Sequence, residues 1–151
     1  MASRPSPPSQ EPEHALATAL TPTPTPETAP FWDAAKDDRL LIQRCRSCSR
    51  HYFYPRPFCP HCASADVEWD QVSGAGRLVS YVINHRPVPP TDDGEPLVIA
   101  LVELDEGVRL LTNLVDAAPD PDALPLDTRV GVAFQARGEF KLPVFRLVEA
   151  R

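Results

Sequence analysis

Apolar positions are unevenly spread along the chain. Residues 1–30 hold eight of the nineteen prolines, no Phe, Trp or Tyr, and no apolar periodicity. Proline fixes φ and removes a donor, so residues 1–29 are expected to form a disordered or polyproline-like tail. The run EHALATAL at 13–20 is too short to hold as a helix alone. From Pro30 the pattern becomes helical. In PFWDAAKDDRL, Phe31, Ala34 and Ala35 share one face, Pro30 suits a first turn, and Asp33 lies near the positive end of the dipole. Phe31 and Trp32 put two large rings on an element too short to bury them alone. They pack either on the chain's own ribbon or on a partner.

Beyond the helix the period shifts toward two. LLIQRC (40–45) and VEW (67–69) read as strands, with Trp69 facing inward, and Gly74 and Gly76 mark a turn or bulge. RLVSYVINH (77–85) is rich in β-branched and aromatic residues. LVIALVELD (97–105) is nearly continuous in apolar residues, which predicts a central strand buried on both faces. DEG (105–107) is a tight turn, and VRLLTNLV (108–115) returns. The segment 116–127 reads as a loop or short irregular helix. RVGVAFQAR (129–137) alternates, with Val130, Val132 and Phe134 on one face. GEFKLP is read as a turn, and 144–150 as the closing strand. Five short strands at hairpin spacing, with no long helix, predict a mainly β protein with a small barrel of OB type.

Composition narrows the function classes. The chain has 151 residues, a net charge of -6 and a pI of about 5.1. Acidic balance opposes nucleic-acid binding, which runs on phosphate neutralisation. No apolar run approaches membrane-spanning length, and MASRPSPPSQ lacks the apolar core of a signal peptide. A cytoplasmic, reducing location is therefore expected.

The strongest motif is RCRSCSRHYFYPRPFCPHC (44–62), which contains all four cysteines. Cys45 and Cys48 form one C-x-x-C and Cys59 and Cys62 a second, ten residues on. Two such knuckles aim four thiolates at one tetrahedral cation. Thiolate is soft, so zinc or iron fits and magnesium or calcium does not. Disulfides and a redox C-x-x-C are the competing readings. A two-residue gap makes a strained bridge, and the thioredoxin-like βαβ context is missing. Four thiolates saturate zinc, which makes a structural metal rather than a catalytic one. The aromatics of HYFYPRPF are expected to pack around it. Arg44, Arg46, Arg50 and Arg56 share this stretch with His51 and His61 and no carboxylate. They either balance the dianionic zinc–tetrathiolate centre or meet an anion such as a phosphate-bearing cofactor.

Little else can carry chemistry. His85 ends a strand, and Asp92, Asp93 and Glu95 occupy an ordinary solvated turn. No nucleophile elbow, glycine-rich phosphate loop or H-E-x-x-H occurs. The residues therefore describe a binding or assembly module.

PFWDAA, the paired C-x-x-C motifs, YPRPFCPHC, VEWDQVSGAGRLVSYVI, PLVIALVELDEGVRLLTNLV and LPVFRLV together resemble the zinc-ribbon/OB-fold proteins once called domain of unknown function 35. The resemblance spans about four-fifths of the chain, Phe31 to Leu147. It implies a helix and rubredoxin-like zinc ribbon over 30–70, an OB-fold domain over 71–151, and structural Zn2+ on the four cysteines. It also implies a non-catalytic accessory subunit of a thiolase-fold acyl-CoA enzyme: a thiolase, an acyltransferase or a steroid side-chain aldolase. MaoC-like hydratases are partners of other members. The helix 31–38, with Phe31 and Trp32, and the loop after Tyr81 would dock on the partner, and acyl-CoA would be shared with it. The alternative is a ribbon/OB protein that binds single-stranded nucleic acid through Tyr81, Phe134, Phe140 and Phe145.

Overall fold

The computed structural model describes residues 21–86 and 95–148. Of the expected tail, residues 21–29 are described, and they include a turn at Pro26–Thr28 that leads directly into the helix. Thr28 Oγ1 accepts from the Thr25 N–H at 2.9 Å, which fixes this entry.

Helix α1 is Ala29–Lys36, with Pro30 in its first turn and Phe31, Ala34 and Ala35 buried. Its end is closed by the left-handed Asp38 (φ 57°). Arg39 and Asp38 N–H groups reach back to the Ala34 and Ala35 carbonyls at 3.0 and 3.1 Å, the pattern of a Schellman stop.

Strands β1 (Leu40–Cys45), β2 (His51–Tyr52) and β3 (Val67–Val72) form a three-stranded antiparallel sheet in the order β2-β1-β3. Strands β4 (Ala75–Asn84), β5 (Leu97–Leu104), β6 (Arg109–Leu114), β7 (Arg129–Arg137) and β8 (Phe140–Leu147) close a barrel in the order β4-β5-β6-β8-β7. A single 3₁₀ turn, Pro121–Ala123, lies between β6 and β7. This is the five-stranded OB-type barrel that the strand spacing predicts.

One apolar core joins the two parts. Phe31 of the helix and Leu40, Ile42 and Val72 of the ribbon sheet pack with Leu78, Val102, Val130 and Phe145 of the barrel. A second, smaller cluster of Cys45, Tyr52 and Cys59 sits at the far end of the ribbon. Strand β1 serves both, with Leu40 and Ile42 toward the barrel and Cys45 toward the metal end.

Three expectations need correction. Strand β5 is not buried on both faces: Val98, Ala100, Val102 and Leu104 are buried, while Leu97, Ile99, Leu101 and Glu103 alternate with them and are only partly buried. The outer wall of the barrel is open there, and no second layer covers it among the described residues. The GEFKLP segment is not a turn. Only Gly138 and Glu139 turn, and β8 starts at Phe140 and runs through Pro143. The aromatics between the knuckles do not all surround the metal. Tyr52 does, Phe53 packs on the barrel core, and Tyr54 and Phe58 are exposed. The strand over 77–85 ends at Asn84, as expected, and most of the loop that follows it (87–94, with Asp92 and Asp93) lies outside the described residues. His85 is exposed just beyond β4 and Glu95 just before β5.

Two glycines offer a graded test of backbone approach. At Gly76 a Cβ would lie 2.3 Å from the Glu103 carbonyl oxygen on the paired strand. At Gly107, in the β5–β6 turn, φ is +79° but nothing lies within 4 Å. Gly107→Ala should cost only the left-handed strain, about 1 kcal/mol. Gly76→Ala should cost more, about 1–3 kcal/mol, because two ladder strands must part. Urea denaturation of both variants should show that order, and equal losses would contradict the close approach.

Candidate metal centre and the adjoining cleft

The four cysteines converge. Their Sγ atoms all lie within 4.8 Å of one another. Cys45 and Cys62 are 3.6 Å apart, Cys48 and Cys59 3.7 Å, and all four are unbridged. Tetrahedral zinc with Zn–S bonds of about 2.3 Å requires Sγ atoms about 3.8 Å apart. The spacing therefore fits one zinc ion and excludes disulfides in this arrangement.

The two knuckles are built alike. The Cys45 N–H donates to the Arg50 carbonyl and the Cys59 N–H to the Ser64 carbonyl, both at 2.9 Å and both five residues ahead. Each second cysteine is followed by a residue with left-handed backbone, Ser49 (φ 61°) and Ala63 (φ 59°). That reversal lets two residues of separation present two thiols to one point. The backbone N–H of His61 also approaches Cys59 Sγ at 3.4 Å. Buried Gln43 accepts the Arg56 N–H at 2.6 Å, and the Tyr52 hydroxyl donates to the Arg56 carbonyl at 3.1 Å. These two bonds pin the inter-knuckle loop to β1 and β2.

Crowding shapes the thiol chemistry. The Cys48 backbone N–H, with smaller help from its neighbours, brings Cys45 down to about 7. At Cys62 the Ser64 N–H favours the thiolate, but the other three cysteines and burial outweigh it and push the group up to about 12. Without a cation, the fourth thiol resists ionisation beside three others. A divalent ion supplies the missing positive charge, which is the ordinary reason such clusters bind zinc. Burial first, then Cys59 and Cys45, raises the Tyr52 hydroxyl above its usual value. His51 is held away from the cysteines by Asp70, Nε2 to Oδ2 at 2.7 Å, and His61 is exposed.

The arginines are not one continuous patch. Strand β3 brings carboxylates from outside the motif, and Arg46 pairs with Glu68 at 2.8 Å and Asp66 at 3.5 Å. The Glu68 hydrogen bond is the main reason its guanidinium is raised further above its ordinary value. Arg44 is half-buried, with an Nε that no group satisfies among the described residues. Arg50 and Arg56 are exposed and make no ion pair among the described residues. No spacing rule within 44–62 could show the Arg46 pairing, because it depends on β1–β3 register.

A cleft of about 270 Å³ opens beside this loop, between α1, β6 and β8. Phe31, Trp32, Phe53, Tyr54, Leu111 and Leu142 form most of its wall, and no charged side chain lines it. The two helix rings are thus answered by the chain itself. Phe31 packs on Phe53 at 5.4 Å and on Trp32 at 4.9 Å, and Trp32 packs edge-on to Phe140 at 6.3 Å. Sequence reasoning missed Leu111 and Tyr54, which are 63% and 56% exposed at this cleft.

The chain matches two adjoining family models. Residues 32–68 match the ChsH2 rubredoxin-like zinc ribbon domain and residues 69–135 the ChsH2 C-terminal OB-fold domain. The chain belongs to this ribbon/OB family. A DUF35 domain-containing scaffold protein of Methanothermobacter thermautotrophicus is 34% identical over 64% of this chain and 71% of its own length. A probable enoyl-CoA hydratase alpha subunit of Thermomonospora curvata is 44% identical over 77% of this chain but only 36% of its own. The chain therefore spans about a third of that larger relative. Among solved structures, a chain of an Ltp2-ChsH2(DUF35) aldolase superposes with TM-score 0.75 at 41% identity, over 84% of this chain and 98% of that one. No helix among the described residues is long and apolar enough to cross a membrane.

Replacing Cys45 with Ser should release zinc and unfold the ribbon, since structural zinc contributes on the order of 10 kcal/mol. Metal content by plasma mass spectrometry and near-ultraviolet circular dichroism would check this. A metal-free variant with native circular dichroism would contradict a structural role.

Proposed function

We propose that this chain is a non-catalytic accessory subunit of a thiolase-fold acyl-CoA enzyme, with structural Zn2+ on Cys45, Cys48, Cys59 and Cys62. The observation that carries this reading is the match to almost the whole of one chain of an Ltp2-ChsH2(DUF35) aldolase. The chemistry agrees with it. A four-thiolate site leaves zinc no open position for water or substrate. The described histidines are exposed or, in His51, tied to a carboxylate. The partner supplies the reacting groups, and this chain supplies surface.

Within that reading, Arg50 and Arg56 are the arginines free to meet the phosphates of an acyl-CoA held with the partner. Arg46 is occupied by Asp66 and Glu68. A hydratase partner of MaoC type is the second reading, supported by the relative named a probable enoyl-CoA hydratase alpha subunit. Single-stranded nucleic acid is a poorer fit. The net charge is -6, and the outer barrel wall offers Leu101, Leu111 and Val82 rather than a basic groove.

The chain alone should turn over no acyl-CoA, and mixed with the Ltp2 subunit of the related aldolase it should co-elute on gel filtration. Turnover of any acyl-CoA thioester by the isolated chain would overturn the accessory role. An anisotropy shift with a single-stranded oligonucleotide at low salt would favour the nucleic-acid alternative instead.

A further inference from the structure

The barrel is closed, but its last seam is short. Strands β6 and β8 run parallel and meet at one ladder position, Leu114 opposite Phe145, with the Val115 N–H donating to the Phe145 carbonyl at 2.9 Å. The next step of a parallel ladder would set Leu111 and Asn113 against residue 143. That residue is proline, which has no N–H to give. Its carbonyl is already taken, by the Thr112 hydroxyl at 3.1 Å. The seam therefore stops at Pro143 and opens into the aromatic cleft.

Ladder alternation fixes what the open edge presents. Even-numbered residues of β6 face β5: Val108 O accepts from the Leu104 N–H, and Leu110, Thr112 and Leu114 stand opposite Val102, Ala100 and Val98. Leu111 therefore turns its main-chain N–H and C=O toward β8, where no ladder position answers it among the described residues. Its side chain points outward, beside half-buried Leu101 on the open wall of β5. An unpaired strand edge flanked by uncharged aromatic walls is complementary to an extended, apolar peptide. Main-chain bonds provide affinity, and alternate side chains enter the walls.

We propose that an extended apolar segment of the catalytic partner subunit adds to the β6 edge at Leu111, in the slot that Pro143 keeps open. This rests on the accessory-subunit reading above. Charge selects the partner over a second copy. The slot carries no charge, but each chain has a net charge of -6, so two copies brought together at this face repel. The Arg77–Glu103–Arg109 ion pairs bound the apolar wall on its turn side and are satisfied among themselves. They leave the exposed apolar area as what remains to be covered.

The test uses the full chain with the Ltp2 subunit of the related aldolase as probe, read by binding and by amide hydrogen exchange. On complex formation the Leu111 amide should slow at least tenfold. Leu111→Glu should weaken binding at least tenfold, whereas Val148→Glu, at an exposed site flanking Gly131 of β7, should change it less than twofold. Pro143→Val restores an N–H to β8. That N–H faces the Leu111 carbonyl, so the new amide at position 143 should be protected in the free chain, and binding should weaken without loss of the cooperative unfolding transition. Unchanged binding in Leu111→Glu, with Leu111 exchanging as in the free chain, would overturn the slot and leave the accessory role intact. Failure of the wild-type chain to bind would remove both. Protection in the free wild-type chain that dilution abolishes, or that deletion of residues 1–20 abolishes, would assign the slot to a second copy or to the chain's own N-terminal segment. Either result overturns the proposal.

Discussion

Strand β1 has to satisfy two cores within six residues. Leu40 and Ile42 are sealed in the core shared with the barrel, and Cys45 is a thiol of the metal cluster. Between them Gln43 spends its buried amide oxygen on the inter-knuckle loop. The metal end is carried on β1, whose first residues pack in the core shared with the barrel, while α1 also meets the barrel directly through Trp32 on Phe140. A cation at the four thiols therefore does more than close a loop. It fixes Tyr52 and, through Arg56, the loop that carries Phe53 and Tyr54 to the cleft. A saturated zinc can thus matter for partner recognition while touching no substrate.

The rest of the architecture follows from where that brace leaves apolar surface. Helix α1 buries Phe31, Ala34 and Ala35, puts Phe31 in the shared core and sets Trp32 edge-on to Phe140. The barrel spends the inward half of β5 and leaves the outward half open. Between them Pro143 interrupts the β6–β8 ladder. The result is one apolar region, from the aromatic cleft across Leu111 to Leu101 on the outer face of β5, bounded by the Arg77–Glu103–Arg109 ion pairs.

Much of this was legible in the sequence, and the misses have physical causes. The metal ligands are carried by local spacing, and two C-x-x-C pairs ten residues apart have few other uses. The five barrel strands were legible because turns punctuate them and β-branched residues fill them. What failed was non-local. An apolar run such as LVIALVEL does not say whether its second face meets another layer or open solvent. GEFKLP reads as a turn because glycine and proline are rare inside strands, yet Pro143 directs its missing N–H to the β6 seam, where no ladder position asks for it. The four arginines looked like one patch until β3 register brought Asp66 and Glu68 against Arg46. Two-residue β2 left no periodic signal at all.

X-ray absorption at the zinc edge, on the chain mixed with the Ltp2 subunit of the related aldolase before and after addition of an acyl-CoA, tests most directly whether the ribbon is a brace. A brace predicts four sulfur neighbours at about 2.3 Å in both spectra, with no change on ligand binding. A nitrogen or oxygen neighbour that enters or leaves with the acyl-CoA would show an open metal site and contradict the account.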